Sequence, residues 1–346
     1  MNREGKLAWR NRIVSLGSVG LYLGVVHAVV DDPTMRAQFN YGVVITLGYG
    51  HLVGAAFFSR KRFIDRLSGP TRYLAAHTGR AGVRFADSPP AVQRVAWSLL
   101  SMGTVALVYA GYLTLLKQSP GAWLPMLAIS IWHTVENSEN LEGFYRTKRQ
   151  LTSRGDKPKS HLVSLGASVC LMAWGLILIR PDWTAFALSM RILTLICGAT
   201  LLVDPRQPNG RKWLGLILIG AGSLPPHWLL TRSGIDFSDL FAASILYHLV
   251  SWGVLSLEKS FRSDAPDHMK RDMAVIHLLP LGMILGTFAW PAPWGSAIRA
   301  DFIAPTSYLF WSVIHVLQTA WLRGHSPSQR RLFRRPSLNR KTARRN

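Results

Sequence analysis

Cysteine is scarce in this chain, and so is charge. Charged side chains make up 17% of the 346 residues, against about a quarter in a typical soluble domain. Cys170 and Cys197 are the two cysteines; they exclude a disulfide scaffold and a multi-cysteine zinc or iron–sulfur site, and we expect both to be inert apolar side chains. The chain also lacks a P-loop, a Gly-x-Ser-x-Gly nucleophile elbow and a Cys-x-x-Cys-His haem attachment motif.

Apolar side chains are abundant and occur in long runs. Hydrophobic residues make up 49% of the chain and include 13 Trp and 14 Phe, which excludes a disordered protein. A transmembrane helix needs about 20 mostly apolar residues, and about ten stretches approach this length. We therefore predict an all-α, polytopic integral membrane helix bundle with about 10 transmembrane helices. The stretches are 13–30, 41–58, 95–116, 121–138, 162–179, 183–202, 213–230, 238–256, 273–290 and 303–322.

The basic residues are concentrated in alternate connections between these stretches. The formal net charge is +22, from 40 Lys and Arg against 18 Asp and Glu. If the N-terminus is cytoplasmic, about 34 of the 40 basic residues fall on the cytoplasmic side and about five on the opposite side. The positive-inside rule thus predicts that both termini are cytoplasmic, and the bias is typical of a bacterial-type inner (cytoplasmic) membrane.

The basic segments also suggest partners. We expect the cytoplasmic loops and the C-terminal tail to contact anionic lipid headgroups of the bilayer. The tail has no pattern of interleaved aromatic side chains and no nucleic-acid-binding fold, so we expect no nucleic acid partner. In organisation, we expect residues 1–40 to form an N-terminal extension with the first transmembrane helix, 41–322 the bundle with the candidate site, and 323–346 a basic cytoplasmic tail.

Four histidines are predicted to lie at one depth in the membrane. Each is on a span that runs from the outer side to the cytoplasm, about five to eight residues, or roughly 8–12 Å, from its cytoplasmic end. Ionisable residues inside membrane helices are functional candidates, and imidazole is a common ligand of iron, zinc and copper. Ligands at one level form a metal site when their helices are neighbours; alternatively, each imidazole hydrogen-bonds to an adjacent helix. The four are His51, His133, His248 and His315.

A carboxylate accompanies the second of these histidines. Glu136 is three residues after His133 and therefore lies on the same helix face. We predict that Glu136 is a catalytic carboxylate that acts by orienting an imidazole. The alternative is an interfacial glutamate paired with Arg146 or Lys148, which we also expect for Glu139.

Aromatic side chains lie close to the third histidine. Tyr247 precedes His248, and Trp252 follows one helical turn later. We predict that Tyr247 and Trp252 line a tunnel for a hydrophobic substrate, with ordinary core packing as the alternative. Pro225 and Pro226 would break the seventh predicted span and leave backbone carbonyls facing a cavity.

Several short blocks resemble, in order and spacing, the motifs of a known family. They are similar to those of the Brp/Blh family, the bacterial and archaeal membrane β-carotene 15,15′-dioxygenases. The resemblance covers roughly residues 41–335. The blocks are 49–54 (Tyr-Gly-His-Leu-Val-Gly), 129–133 (Ile-Ser-Ile-Trp-His), 225–226 (Pro-Pro), 247–252 (Tyr-His-Leu-Val-Ser-Trp), 313–317 (Val-Ile-His-Val-Leu) and 323–326 (Arg-Gly-His-Ser).

The resemblance implies a fold, a cofactor and a reaction. It implies a bundle of membrane helices around a non-haem iron (Fe2+), and cleavage of the central double bond of a carotenoid with O2 to give retinal. By position, His51, His133 and His248 carry over as iron ligands. Trp252 stands where the family has a further histidine, and His315 or His277 would then complete the ligand set.

Three classes of function stay open from the residues. The first is an iron-dependent dioxygenase acting on a hydrophobic small molecule dissolved in the lipid. The second is a haem-binding electron-transfer membrane protein, with two of the same-depth histidines as axial ligands. The third is a non-enzymatic transporter, or a structural or assembly subunit, in which the histidines are helix–helix hydrogen bonds or a proton relay.

Overall fold

The structure is a computed structural model of the chain. It describes residues 3–53, 83, 85, 87–139, 141–145, 161–179, 184–204, 209–224, 234–260, 271, 275, 278, 282, 285–286, 295–297, 301 and 304–323. Among these residues every regular element is a helix and no strand occurs, so the predicted all-α class is confirmed for them.

Helical segments follow one another along the described residues, and ten of them are named here. A short 3-10 helix, Pro120–Trp123, leads into the fourth. Several helices begin at a proline or behind a carboxylate. The segments are α1 Arg3–Val29, α2 over 33–53, α3 Pro90–Gln118, α4 Leu124–Glu139, α5 Leu141–Tyr145, α6 His161–Ile179, α7 Thr184–Val203, α8 Asn209–Ser223, α9 Phe237–Ser260 and α10 Pro305–Arg323.

Two aspartates cap helix starts. Asp32 Oδ1 accepts the Met35 backbone N–H at 2.7 Å just before the first turn of α2. Asp236 Oδ1 accepts the backbone N–H groups of Ser238 and Asp239 at 2.7 and 3.1 Å at the start of α9. These bonds satisfy N–H groups that have no partner within the helix, so they fix where the two helices begin.

Within the described part of the chain, four helices are long and apolar enough to cross a membrane. They are Arg3–Val29, Pro90–Gln118, Thr184–Val203 and Phe237–Glu258, and they coincide with four of the predicted spans. Their large apolar side chains face outward, with Leu107 on α3 76% and Leu188 on α7 57% exposed. Such surfaces suit contact with lipid, and the chain is an all-α protein with the character of a membrane protein.

Other predicted spans are helical where the structure describes them. The helices α4, α6 and α10 lie within or close to the predicted stretches 121–138, 162–179 and 303–322. Pro225, Pro226, His277 and most of the connection 59–94 between the second and third predicted spans lie outside the described residues. The count of ten spans and the cytoplasmic position of both termini therefore stay predictions.

The chain divides into two compact units, Met1–Phe57 with Val108–Val313, and Phe58–Leu107 with Ile314–Asn346. In the first unit α1 packs on α9, α4 on α6, and α7 on α8. A hydrophobic cluster with three buried aromatic side chains joins α2, α4, α9 and the start of α10. The buried members of that cluster are Ile45, Tyr49, Leu127, Phe241, Tyr308 and Leu309.

Candidate functional site

Two of the predicted histidines meet between α2 and α9. The Nε2 atoms of His51 and His248 are 3.2 Å apart. Their ring centroids are 4.9 Å apart and the ring planes are nearly perpendicular, at 89°. The two side chains are 197 positions apart in sequence, so tertiary packing alone brings them together.

The aromatic cluster positions this pair. Gly48 lies one helical turn before His51, and a Cβ atom there would overlap the ring of Tyr308. Tyr308 also packs edge-on against Tyr49, with ring centroids 5.6 Å apart, and against Phe241 on α9. The missing side chain at Gly48 therefore lets α2 approach this cluster closely, next to the turn that carries His51.

A third predicted histidine lies beside the pair. The ring centroids of His133 and His248 are 5.3 Å apart. His133 is buried, and its Nε2 atom lies 2.9 Å from Nδ2 of Asn137, one helical turn further along α4. To present Nε2 to a metal, His133 would have to exchange this contact with Asn137 for a ligand bond.

The separation of the two Nε2 atoms suits a shared proton or a shared cation. Zinc–nitrogen bonds to imidazole are about 2.0–2.1 Å long, so two adjacent ligands at about 90–110° have nitrogens roughly 2.8–3.4 Å apart. The His51–His248 distance of 3.2 Å falls in this range. Within the described residues, no group of three His, Cys, Asp or Glu side chains is already arranged to hold a metal ion. Two donors thus fit neighbouring coordination positions, and a third would come from His133 after a side-chain movement.

The remaining predicted ligand and the predicted carboxylate are placed differently. His315 is buried on α10, at 8% exposure, in the second compact unit. Glu136 is half-buried on α4 and is not among the residues that line the cavity described next. Glu139 forms an ion pair with Arg211 at 2.7 Å, so it does pair with a cation as expected, but with one on α8.

A small cavity adjoins the histidine cluster. Its volume is about 10 Å³, close to the minimum that holds one water molecule. Both predicted tunnel residues, Tyr247 and Trp252, line it, and the Trp252 ring also lies 5.7 Å from that of His51. The structure thus brings both residues to one small cavity beside His248, and the tunnel itself stays a prediction. The lining residues of the cavity are Thr134, Asn137, Ser138, Leu141, Tyr247, His248, Ser251 and Trp252.

No known family model, no curated protein and no solved structure matches this chain. The motif resemblance to the Brp/Blh family therefore rests on the blocks of sequence quoted above.

A buried polar network from α1 borders the cavity, and the hydropathy of the sequence does not predict it. Arg12 is 0% exposed, and its Nη2 atom donates a hydrogen bond of 2.7 Å to the carbonyl of Ser138. Asn11 donates to the carbonyl of Ser251 at 2.9 Å, and the hydroxyls of Ser15 and Ser251 are also 2.9 Å apart. The sequence contains one indication of this network, because the polar residues Asn11 and Ser15 are four positions apart and therefore share a helix face.

A second polar cluster surrounds Asp239, nine residues before His248 on α9. Asp239 is fully buried, and its Oδ2 atom lies 3.1 Å from Nε2 of His27. Its Oδ1 atom accepts a hydrogen bond of 2.8 Å from Asn40. Arg36 donates to the carbonyl of Gly234 at 2.6 Å and has its Nε atom 3.8 Å from Asp239. These bonds tie α1, α2 and α9 together about 13 Å along α9 from the histidine pair.

Proposed function

We propose that this protein is a membrane-embedded non-haem iron oxygenase that acts on a hydrophobic substrate, with carotenoid cleavage to retinal as the specific reaction. The observation that carries the proposal is the 3.2 Å separation of the His51 and His248 Nε2 atoms, which suits two adjacent ligands of one metal. When bound, iron would supply an open coordination position for O2.

The four proposed ligands differ in the evidence that supports each of them. His51 and His248 would hold the metal directly, and His133 would join them by releasing Asn137. His315 is proposed as a fourth ligand from its predicted depth, because Trp252 occupies the position of the family's further histidine. Glu136 on α4 is proposed to orient an imidazole, as a carboxylate often does beside a metal-bound histidine.

The surroundings of the site support a substrate dissolved in lipid. Tyr247 and Trp252 line the cavity beside His248, and large apolar side chains cover the outer faces of the long helices. We propose that the chain crosses a bacterial-type inner membrane about ten times, with both termini cytoplasmic. Its basic loops and tail would then meet anionic headgroups at the cytoplasmic face.

The geometry of the pair bears on the haem alternative. In that alternative, two of the histidines would hold a haem between them. A separation of 3.2 Å leaves no room for a macrocycle between His51 and His248, which disfavours this pair as axial ligands.

The non-enzymatic alternative has one specific observation in its favour. A distance of 3.2 Å also allows one imidazole N–H to donate a hydrogen bond to the other imidazole across the α2–α9 contact. In a transporter or an assembly subunit, this bond would serve helix association alone. Metal content separates this alternative from the oxygenase.

The deciding experiment is metal analysis and a visible spectrum on detergent-purified protein. Wild type is compared with His51→Ala, His248→Ala and the control His27→Ala, all on the folded, monodisperse fraction. His27 is a suitable control because it contacts Asp239 in the separate cluster. We expect nearly stoichiometric iron without a Soret band in wild type, loss of iron in the two site variants, and retention of iron in His27→Ala.

Two results would contradict the proposal. Wild-type protein without metal, with site variants that fold normally, would favour the transporter or assembly alternative. A Soret band would favour haem. If iron is present as expected, carotenoid cleavage in the presence of O2 is then assayed with the same four proteins.

A further inference from the structure

One hydrogen bond occupies the nitrogen that His133 would offer to the proposed metal. His133 Nε2 and Asn137 Nδ2 are 2.9 Å apart, with the two residues one helical turn apart on α4. Both residues are buried, with 7% and 5% of their surface exposed. Breaking a buried hydrogen bond leaves its polar groups without a partner and without water, so this bond competes with any other partner of His133.

The chemistry of the carboxamide fixes the direction of this hydrogen bond. The NH2 group of asparagine donates and does not accept, so Nδ2 of Asn137 is the donor and Nε2 of His133 is the acceptor. A neutral imidazole whose Nε2 accepts carries its proton on Nδ1. Asn137 therefore holds His133 in the tautomer that has its lone pair on Nε2, and the Asn137 N–H takes the place of a metal on that lone pair.

The cavity beside His248 gives the Asn137 side chain space to move. Asn137 and His248 both line this cavity of about 10 Å³. The ring centroids of His133 and His248 are 5.3 Å apart, and the Nε2 atoms of His248 and His51 are 3.2 Å apart. A rotation of Asn137 into the cavity therefore releases His133 next to two histidines that already fit adjacent coordination positions.

We propose that Asn137 is a latch on the metal site, which holds Nε2 of His133 while the site is empty and must release it before His133 binds the metal. This inference rests on the proposed function, because it concerns how a metal enters that same site. Asn137 is a positioning residue that acts through His133 and does not itself touch the metal. Because metal binding has to replace the hydrogen bond between Asn137 and His133, the latch lowers the affinity of the site for its metal.

The first measurement is the affinity of the metal-free full chain in detergent for Co2+, followed by the visible absorption of the bound ion. Asn137→Leu removes the hydrogen bond and keeps a side chain of similar size. We expect this variant to bind Co2+ about 2- to 12-fold more tightly than wild type, the range for one net hydrogen bond lost from the empty site. Asn137→Ala should shift the affinity in the same direction, and it replaces the leucine variant if that variant does not fold.

Two controls isolate the contact with His133. Thr134→Val removes a polar group from the same cavity, but the Thr134 hydroxyl donates to the Ser130 carbonyl on its own helix at 3.1 Å. This control should therefore bind Co2+ as wild type does. In a His133→Ala background the latch has nothing to hold, so adding Asn137→Leu should leave the affinity unchanged, whereas a general effect of the leucine on the fold would appear in both backgrounds.

The second measurement needs no metal. Histidine side chains are labelled with 15N, and the signals of His133 are identified by their loss in His133→Ala. Wild type should show an unprotonated Nε2 and a protonated Nδ1 at His133, since the 15N chemical shift separates protonated from unprotonated ring nitrogens. Asn137→Leu should move the Nε2 signal of His133, and Thr134→Val should not.

Three results would overturn the inference: equal affinities of wild type and Asn137→Leu for Co2+, a gain in affinity that persists without His133, or a proton on Nε2 of His133 in the metal-free protein. Iron content is measured separately on the same proteins as purified. Iron in wild type together with equal Co2+ affinities would refute the latch and leave the proposed oxygenase standing. Tighter Co2+ binding by Asn137→Leu without iron in wild type would do the reverse, and no binding of either metal by any of the proteins would refute both.

Discussion

The contact between α7 and α8 gives a sharp prediction about stability. Gly198 and Gly215 face each other there, and a Cβ atom on either glycine would lie 2.9 Å from the carbonyl oxygen of the other. A Cβ at Gly215 would also meet Leu201 Cβ at 3.1 Å. Because the nearest atom is backbone, Gly215→Ala forces the two helices apart. We expect a cost of about 1–3 kcal/mol in the free energy of unfolding, the usual range for overpacking a buried contact.

The matched control is Gly220→Ala on the same helix, where nothing lies within 4 Å of the added Cβ. Alanine is favoured over glycine in a helix by up to about 1 kcal/mol, so this control should be neutral or slightly more stable than wild type. Both variants gain the same helix propensity, and the difference between them isolates the helix–helix contact. Unfolding free energies are measured by circular dichroism during titration of the micellar protein with sodium dodecyl sulfate. Equal stabilities of Gly215→Ala and Gly220→Ala would refute the close approach of α7 and α8.

Further predictions concern buried charge and one tyrosine. Arg12→Ala should lower the free energy of unfolding by about 2–5 kcal/mol, because it empties a fully buried position. Arg10→Ala, at a side chain that is 61% exposed, should lower it by less than about 1 kcal/mol in the same titration. Asp239→Ala should cost about 3–5 kcal/mol because it leaves its buried partners unpaired, while exposed Asp31→Ala should change stability by less than about 0.5 kcal/mol. Burial raises the pKa of Tyr145 to about 12, above the roughly 10 of an unfolded chain. Its contribution to stability is therefore complete below about pH 10 and is lost by about pH 12, so Tyr145→Phe should show a smaller loss of stability over that range. If Tyr145→Phe loses as much stability between about pH 10 and pH 12 as wild type does, the raised pKa of Tyr145 is contradicted.

Part of the site was predictable because it depends on position along a helix. Distance from the predicted cytoplasmic end groups His51, His133, His248 and His315, and the structure places the rings of His51 and His133 each beside the ring of His248. Distance along an axis follows from counting residues at 1.5 Å each. The direction in which each side chain points does not follow from that count, so the engagement of His133 by Asn137 was not expected.

Other features were missed because hydropathy averages over a window. Arg12 was counted among the cytoplasmic residues that flank the first span, yet α1 begins at Arg3 and Arg12 is buried within it. The bond from Arg12 to the Ser138 carbonyl, near the C-terminal end of α4, satisfies a group that has no partner within its own helix. A hydropathy average over a window scores Arg12 as unfavourable in lipid. It takes no account of a hydrogen-bond partner that lies 126 positions away in the sequence.

The sequence alone determined that this is an all-α protein of membrane character and where its long apolar helices lie, and it predicted a common depth for four histidines. Each of these depends on local composition and on the fixed rise of a helix. The tertiary structure alone decided which helices are neighbours: that α2 and α9 bring His51 to His248, that α7 and α8 touch through glycines, and that Asp239 pairs with His27. These contacts depend on how each helix is rotated and what it packs against. That is set by the fit of many side chains at once, and no single stretch of sequence encodes it.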